Sequence, residues 1–208
     1  MADIFDEVDE ELKRDQMQVL WARYGKYLIA TVAIVVLGVA ARQGYDAWRA
    51  NQAETAATAY HQALQADDLV TAMAEADDDL TVGYKMLSSF RKAAALAAKE
   101  DFAAAEAAYL ALADNVDIGP LYQQAALLLS VMNAPDDRDL ATLRDRLARL
   151  EGAAGPWQAM ALEQAAGVAL RAGDRAAALI KYEALAGLAE IPADMRQRAS
   201  RLVNILGG

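Results

Sequence analysis

Residue types able to make and break bonds are scarce in this chain. Of its 208 residues one is histidine, His61, and none is cysteine. His61 stands in AYHQAL with no second imidazole and no carboxylate at metal-ligand spacing, so it reads as a surface position on a helix. Imidazole and thiolate metal sites, and cysteine nucleophiles, need groups that this chain lacks. The acidic runs Asp67-Asp68 and Asp77-Asp78-Asp79 offer oxygen ligands. A calcium loop, however, spaces its carboxylates alternately and turns on a glycine, and these consecutive acids read as a loop and a helix start. No G-x-x-x-x-G-K-[ST], G-x-S-x-G or H-E-x-x-H occurs, which leaves phosphate cradling and the common hydrolase sites without support. The expectation is a protein that is not an enzyme and takes no cofactor, metal or small-molecule substrate. Charge removes a further class: 20 Lys plus Arg against 30 Asp plus Glu give a net charge of -10. That sign repels a phosphate backbone, so nucleic acid is excluded as a partner.

What remains is recognition through surfaces, and the elements that would present them are helical. The chain is 56% hydrophobic, rich in Ala, and holds only 4 Pro and 12 Gly; long Ala, Leu, Glu and Arg stretches favour helix. No segment sustains period-two alternation, so no sheet is expected and the fold class is all-α.

The strongest local signal is YLIATVAIVVLGVAA, Tyr27 to Ala41, free of charge and closed by Lys26 and Arg42. Fifteen helical residues reach only about 22 Å, short of a hydrocarbon core of about 30 Å. Extending to Tyr24 and Tyr45 gives about 33 Å. Lys26 and Arg42 can snorkel, while Trp21, Tyr24, Tyr45 and Trp48 supply aromatic belts at both interfaces. A buried helix of a soluble protein is the alternative, but apolar side chains on every face would need partners all round. Lys13, Arg14, Arg23 and Lys26 precede the span, and only Arg42 and Arg49 follow closely, which predicts a cytoplasmic N-terminus and an exported remainder. Val39 and Ala41 also suit a signal-peptidase site. Against cleavage stand the long acidic region before the run and the unbroken helical pattern of Gln43 to Asn51, so an uncleaved signal anchor is expected. Residues 1–23, with Ile4, Phe5, Val8 and Leu12 at helical spacing among acids, read as a cytoplasmic acidic amphipathic tail; residues 24–45 are the span, and 46–208 an exported domain. Within the span, Ala40 and Gly44 form a small-x-x-x-small pair.

From residue 43 onward 15 bases face 23 acids. One spacing recurs there: Ala, an aromatic four later, then small or Leu residues three and four further on. It is carried by Ala56, Tyr60, Ala63, Leu64; by Ala105, Tyr109, Leu112, Ala113; and by Ala178, Tyr182, Leu185, Ala186. Leu140, Arg144, Leu147, Ala148 read as a worn copy. The period is close to the 34 residues of tetratricopeptide repeats with insertions, in which a small residue lets paired helices approach and the aromatic one turn later fills the wedge. Turns fall at Lys99-Glu100-Asp101, Asn133-Ala134-Pro135-Asp136 and Ala172-Gly173-Asp174, with Asp101, Asp136 and Asp174 as expected N-caps. Gly155-Pro156-Trp157 is expected to open a further helix, with Pro156 near its first turn. A plain helical bundle is the alternative to a tetratricopeptide repeat-like α-solenoid. In the repeat template the first helix of each hairpin lines a concave face, which would carry Phe90, Tyr122, Met132, Met160 and Arg171 as partner-binding candidates; the same residues as ordinary core is the other reading.

Taken with ARYGKYLIATVAIVVLGVAARQGYDAW, AATAYHQAL and GPWQAMALEQAAGVALRAGDRAAALIKYEAL, the chain resembles the ancillary subunit family of the bacterial SecYEG translocon, single-span inner-membrane proteins with a periplasmic tetratricopeptide-like domain. The resemblance implies a bacterial inner-membrane adaptor whose partners are the SecYEG translocon, periplasmic chaperones and exported polypeptides. The Asp67 to Asp79 insert and the worn copy around Arg144 depart from the pattern and leave the groove open. The alternative is a scaffold or assembly subunit of another inner-membrane complex.

Overall fold

A computed structural model describes the backbone of residues 3–153 and 155–208, and side chains from residue 17 on with the exception of 154. The side chains of Ile4, Phe5, Val8 and Leu12, on which the amphipathic reading of the tail rests, lie outside the described residues. The described residues are helical and contain no strand, as the sequence predicts. Packing divides the chain into two units, Met1–Glu54 and Thr55–Gly208.

The first unit is the greater part of helix α1, Asp3–Leu64. It contains the one helix, among the described residues, long and apolar enough to cross a membrane; only 6% of its 18-residue apolar window is buried inside the protein. Ile29, Ile34, Val35, Val36 and Leu37 are exposed around its circumference. Thr31, the polar side chain in that run, donates its hydroxyl to the Tyr27 carbonyl at 2.9 Å, which satisfies it without any outside partner.

The second unit begins with the last turns of α1, where Ala56 and Ala63 are buried and Tyr60 packs on Tyr84, ring centroids 5.3 Å apart. A short helix α2, Leu69–Glu75, drives Met73 fully into the interior. Three helical hairpins follow: α3 (Val82–Ala98) with α4 (Phe102–Ala113), α5 (Pro120–Met132) with α6 (Leu140–Glu151), and α7 (Gln158–Arg171) with α8 (Arg175–Gly187). Helix α9, Ala193–Gly207, closes the stack. It buries Ala199 and packs Met195, Leu202, Val203 and Leu206 against Leu162, Tyr182 and Leu185. Its exposed face carries Asp194, Arg196, Arg198 and Arg201 together with Ile205.

The recurring spacing marks the second helix of each outer hairpin. Ala105 and Ala178 are fully buried, with Tyr109, Leu112, Tyr182 and Leu185 beside them; burial pushes both phenols above their ordinary pKa, helped at Tyr182 by the negative charge of Glu163. The middle copy corrects the expectation. Arg144 and Ala148 are exposed, and the buried series is Leu143, Leu147, Leu150. That is the spacing of Ala105, Tyr109, Leu112 with leucine at every place. The physical reason for the different register is that the strip facing the core must be apolar throughout, and the 140-144-147 strip carries a guanidinium.

The turns follow the same logic. Asp101 and Asp174 cap α4 and α8 as expected, accepting from Ala104 N at 3.1 Å and Ala177 N at 2.9 Å. Asp136 does not cap α6. Asp139 does, accepting from Thr142 N at 2.9 Å, because the loop runs three residues further before the helix starts. Its carboxyl is held below the ordinary range by the Thr142 backbone and hydroxyl hydrogen bonds. Pro156 lies in the turn ahead of α7, with Trp157 at the N-cap position.

Candidate functional site

Hydrogen bonds between hairpins set how the first helices stand. The Trp157 indole, at the start of α7, donates to the Leu121 carbonyl in the first turn of α5 at 2.9 Å. Arg171, the last residue of α7, donates to the Asp136 carbonyl just beyond the end of α5, also at 2.9 Å. Contacts at both ends require α5 and α7 to lie side by side and run the same way. Sequence separations of 36 and 35 residues are one repeat, so these bonds are the period expressed in three dimensions.

The five candidate groove residues all fall on first helices: Phe90 on α3, Tyr122 and Met132 on α5, Met160 and Arg171 on α7. They are not equivalent. Phe90 and Met160 are half-buried and pack against the core, Phe90 with its ring 6.3 Å from that of Tyr109. Tyr122 and Met132 are 44% and 45% exposed, which leaves both side chains available to a partner. Arg171 is exposed, with one amino group already committed to Asp136. Ten residues of helix separate Tyr122 from Met132, about 15 Å of rise. Tyr122 therefore stands at the end of the stack near Trp157 and Met160, and Met132 at the end near Arg171.

The six interface candidates lie on α1. Trp21, Tyr24, Tyr45 and Trp48 are exposed, and their basic neighbours lie against aromatic faces: Arg23 over Tyr24 at 6.0 Å, Lys26 over Tyr27 at 5.1 Å and Arg49 over Tyr45 at 5.8 Å. Arg42 pairs with Asp46 at 3.7 Å. The Trp21 ring lies on Gly25, where an added Cβ would meet it at 3.2 Å.

One polar cluster escaped the sequence reading. Glu106, in the middle of α4, is almost completely buried. Its carboxylate accepts from Arg138 in the α5–α6 loop, with Nε at 2.9 Å, and from Arg146 on α6. Burial alone would raise this carboxyl; the Arg146 and Arg138 hydrogen bonds more than reverse that and hold it below the usual glutamate range. The signal was present in the chain: FAAAEAAYLALA carries one acid in an otherwise apolar helix, and a lone carboxylate in such surroundings must find cations. A second bridge, Lys181 to Glu151, joins α8 to α6. Arg198 of α9 reaches Glu163 of α7 at 3.2 Å. Each links one repeat to the next.

Among the described residues the exposed His61 ring bonds to Gln65, just past the end of α1, at 2.8 Å. Asp68 bonds to Thr71 and Lys99, and Asp77 to Lys85. Among the described residues no group of three or more His, Cys, Asp or Glu could hold a metal ion.

A family model described as tetratricopeptide repeat-like domain matches residues 18–203. No curated protein and no solved structure matches the chain.

Proposed function

The chain belongs to the tetratricopeptide repeat-like domain family, and from that premise we propose that it is a membrane-anchored adaptor that binds protein partners through its first-helix surface. The observation that carries this reading is the pairing, in one chain, of an apolar helix with almost nothing packed on it and a stack of hairpins whose exposed side chains include Tyr122 and Met132. An apolar helix with so little packed on it fits a non-aqueous environment, and a stack of helical repeats presents a continuous surface of side chains for recognition.

In this reading residues 24–45 span the bacterial inner membrane once, residues 1–23 stay in the cytoplasm and residues 46–208 face the periplasm. The excess of basic residues ahead of the span supports that orientation. The motif resemblance supports the SecYEG translocon as the dock, and periplasmic chaperones and newly exported chains as what the repeat surface meets. Phe90 and Met160 would form the floor of the surface, Tyr122, Met132 and Arg171 its reactive ends. The protein has no enzymatic role.

Photo-crosslinkers placed at Val36 in the span and at Tyr122 on α5, followed by gentle solubilisation and affinity capture, test the reading. Recovery of translocon subunits from Val36 and of periplasmic chaperones or exported chains from Tyr122 is expected. Exclusive recovery of an unrelated inner-membrane complex from both positions would replace the adaptor by an assembly subunit.

A further inference from the structure

The middle hairpin differs from its neighbours where its helices face each other. At the place held by Ala105 in α4 and Ala178 in α8, α6 has Leu143, fully buried. At the other end of the same hairpin, beside the start of α5 and the end of α6, lies a cleft of about 230 Å³. Its walls are Ala113 at the end of α4, Pro120, Gln123, Gln124 and Leu127 of α5, and Arg149 and Leu150 of α6.

We propose that this cleft is a carboxylate-binding site that takes the end or an acidic side chain of a bound polypeptide. Arg149 is the single ionisable group among the lining residues. Among the described residues Arg149, like Arg91, Arg144 and Arg201, has no acceptor partner, and of these four it is the one that lines the cleft. A guanidinium beside two carboxamides is a donor set for a carboxylate, which a fork of N–H groups binds in two-point fashion. Gln123 is held in place by donating Nε2 to the Asn115 carbonyl at 2.9 Å, so part of the set is preorganised. Leu127 and Leu150 supply apolar wall for the carbon atoms behind the charge. The volume admits one residue and is below the range of about 300–1,000 Å³ used for larger ligands, which argues against a cofactor. The inference is independent of the membrane reading, because every group in it belongs to the repeat unit.

Nitrogen-15 NMR of the arginine Nε–H and glutamine side-chain groups, on the full chain in detergent micelles, tests it with three probes. N-acetyl-leucine presents a chain-end carboxylate, N-acetyl-glutamic acid α-amide a side-chain carboxylate, and N-acetyl-glutamine amide none. At least one acid is expected to shift the Arg149 and Gln124 signals saturably in the millimolar range, at least tenfold tighter than the neutral probe. Whichever acid binds tighter identifies the source of the carboxylate. Arg149→Gln is expected to remove the preference while leaving the thermal midpoint in place. Equal titration by all three probes on the unmodified chain overturns the proposal, as does an acid preference that survives Arg149→Gln.

Discussion

The outer hairpins and the middle one solve the same packing problem with different residues. In α3–α4 and α7–α8, the second helix places alanine, tyrosine and leucine on its buried strip, and the connecting turn is three residues long. In α5–α6 the strip is all leucine, the loop runs from Asn133 to Asp139, and the helices approach less closely. The lesson is that the repeat prescribes where apolar volume must go and leaves open how it is divided between the two helices. Alanine brings the partner helix in, and the aromatic ring one turn on refills the wedge. Leucine at both places fills the space evenly and props the pair open. The looser hairpin is then tied down by charge, through Arg138 and Arg146 on Glu106.

That account can be broken at its strongest point first. Replacing the buried Glu106 with Gln leaves the largely buried Arg146 and the partly exposed Arg138 without their counter-charge and is expected to cost about 3 kcal/mol of stability, read by urea unfolding. The pH dependence has a definite sign. The folded pKa lies below the unfolded one, so the cluster's contribution is complete above the ordinary glutamate value of about 4.3 and is lost as pH falls through the lower folded value. The variant should lose part of the acid-induced destabilisation that the unmodified chain shows below that pH; identical acid profiles would remove the ion cluster from the explanation.

Next in size is the alanine crossing. Ala105→Leu and Ala178→Leu, which import the middle hairpin's residue into the outer ones, should each cost about 2 kcal/mol by overpacking. If both are tolerated without loss, the small residue is not what holds those pairs close. Smaller again is the N-cap of the last hairpin: Asp174→Ala removes the bond to Ala177 N and is expected to cost about 1 kcal/mol, measurable as a shift in urea midpoint.

The finest distinction lies between the two short turns. Asp101 N bonds to the Leu96 carbonyl at 3.0 Å and Asp174 N to the Ala169 carbonyl at 2.9 Å, the same closure of a helix end. The left-handed residue is Gly173, φ 74°, in one turn and Glu100, φ 62°, in the other. Only glycine adopts that conformation without a Cβ penalty. Glu100→Gly should therefore stabilise by about 0.5 kcal/mol, after the added freedom of the unfolded chain is subtracted, and Gly173→Ala should destabilise by about 1 kcal/mol. A loss of stability in Glu100→Gly would show that the glutamate side chain, and not the backbone, fixes that turn.

The amino-acid order by itself determined the helical class, the repeat spacing around Ala105 and Ala178, the caps at Asp101 and Asp174, and the apolar run of α1. All of these depend on contacts within a few residues or on side-chain type summed over a turn or two, which is information a linear string carries. Tertiary structure decided the rest. Leucine marks no position as uniquely as an alanine followed by a tyrosine does, so the register of α6 became definite only when three apolar side chains had to face the core together. Asp136 and Asp139 are chemically alike in the string, and where α6 starts chose between them. The separation of Tyr122 from Met132, the cations that meet Glu106 from 32 and 40 residues away, and the cleft at Arg149 all come from stacking one repeat on the next, where proximity is set by the packing of whole helices and not by distance along the chain.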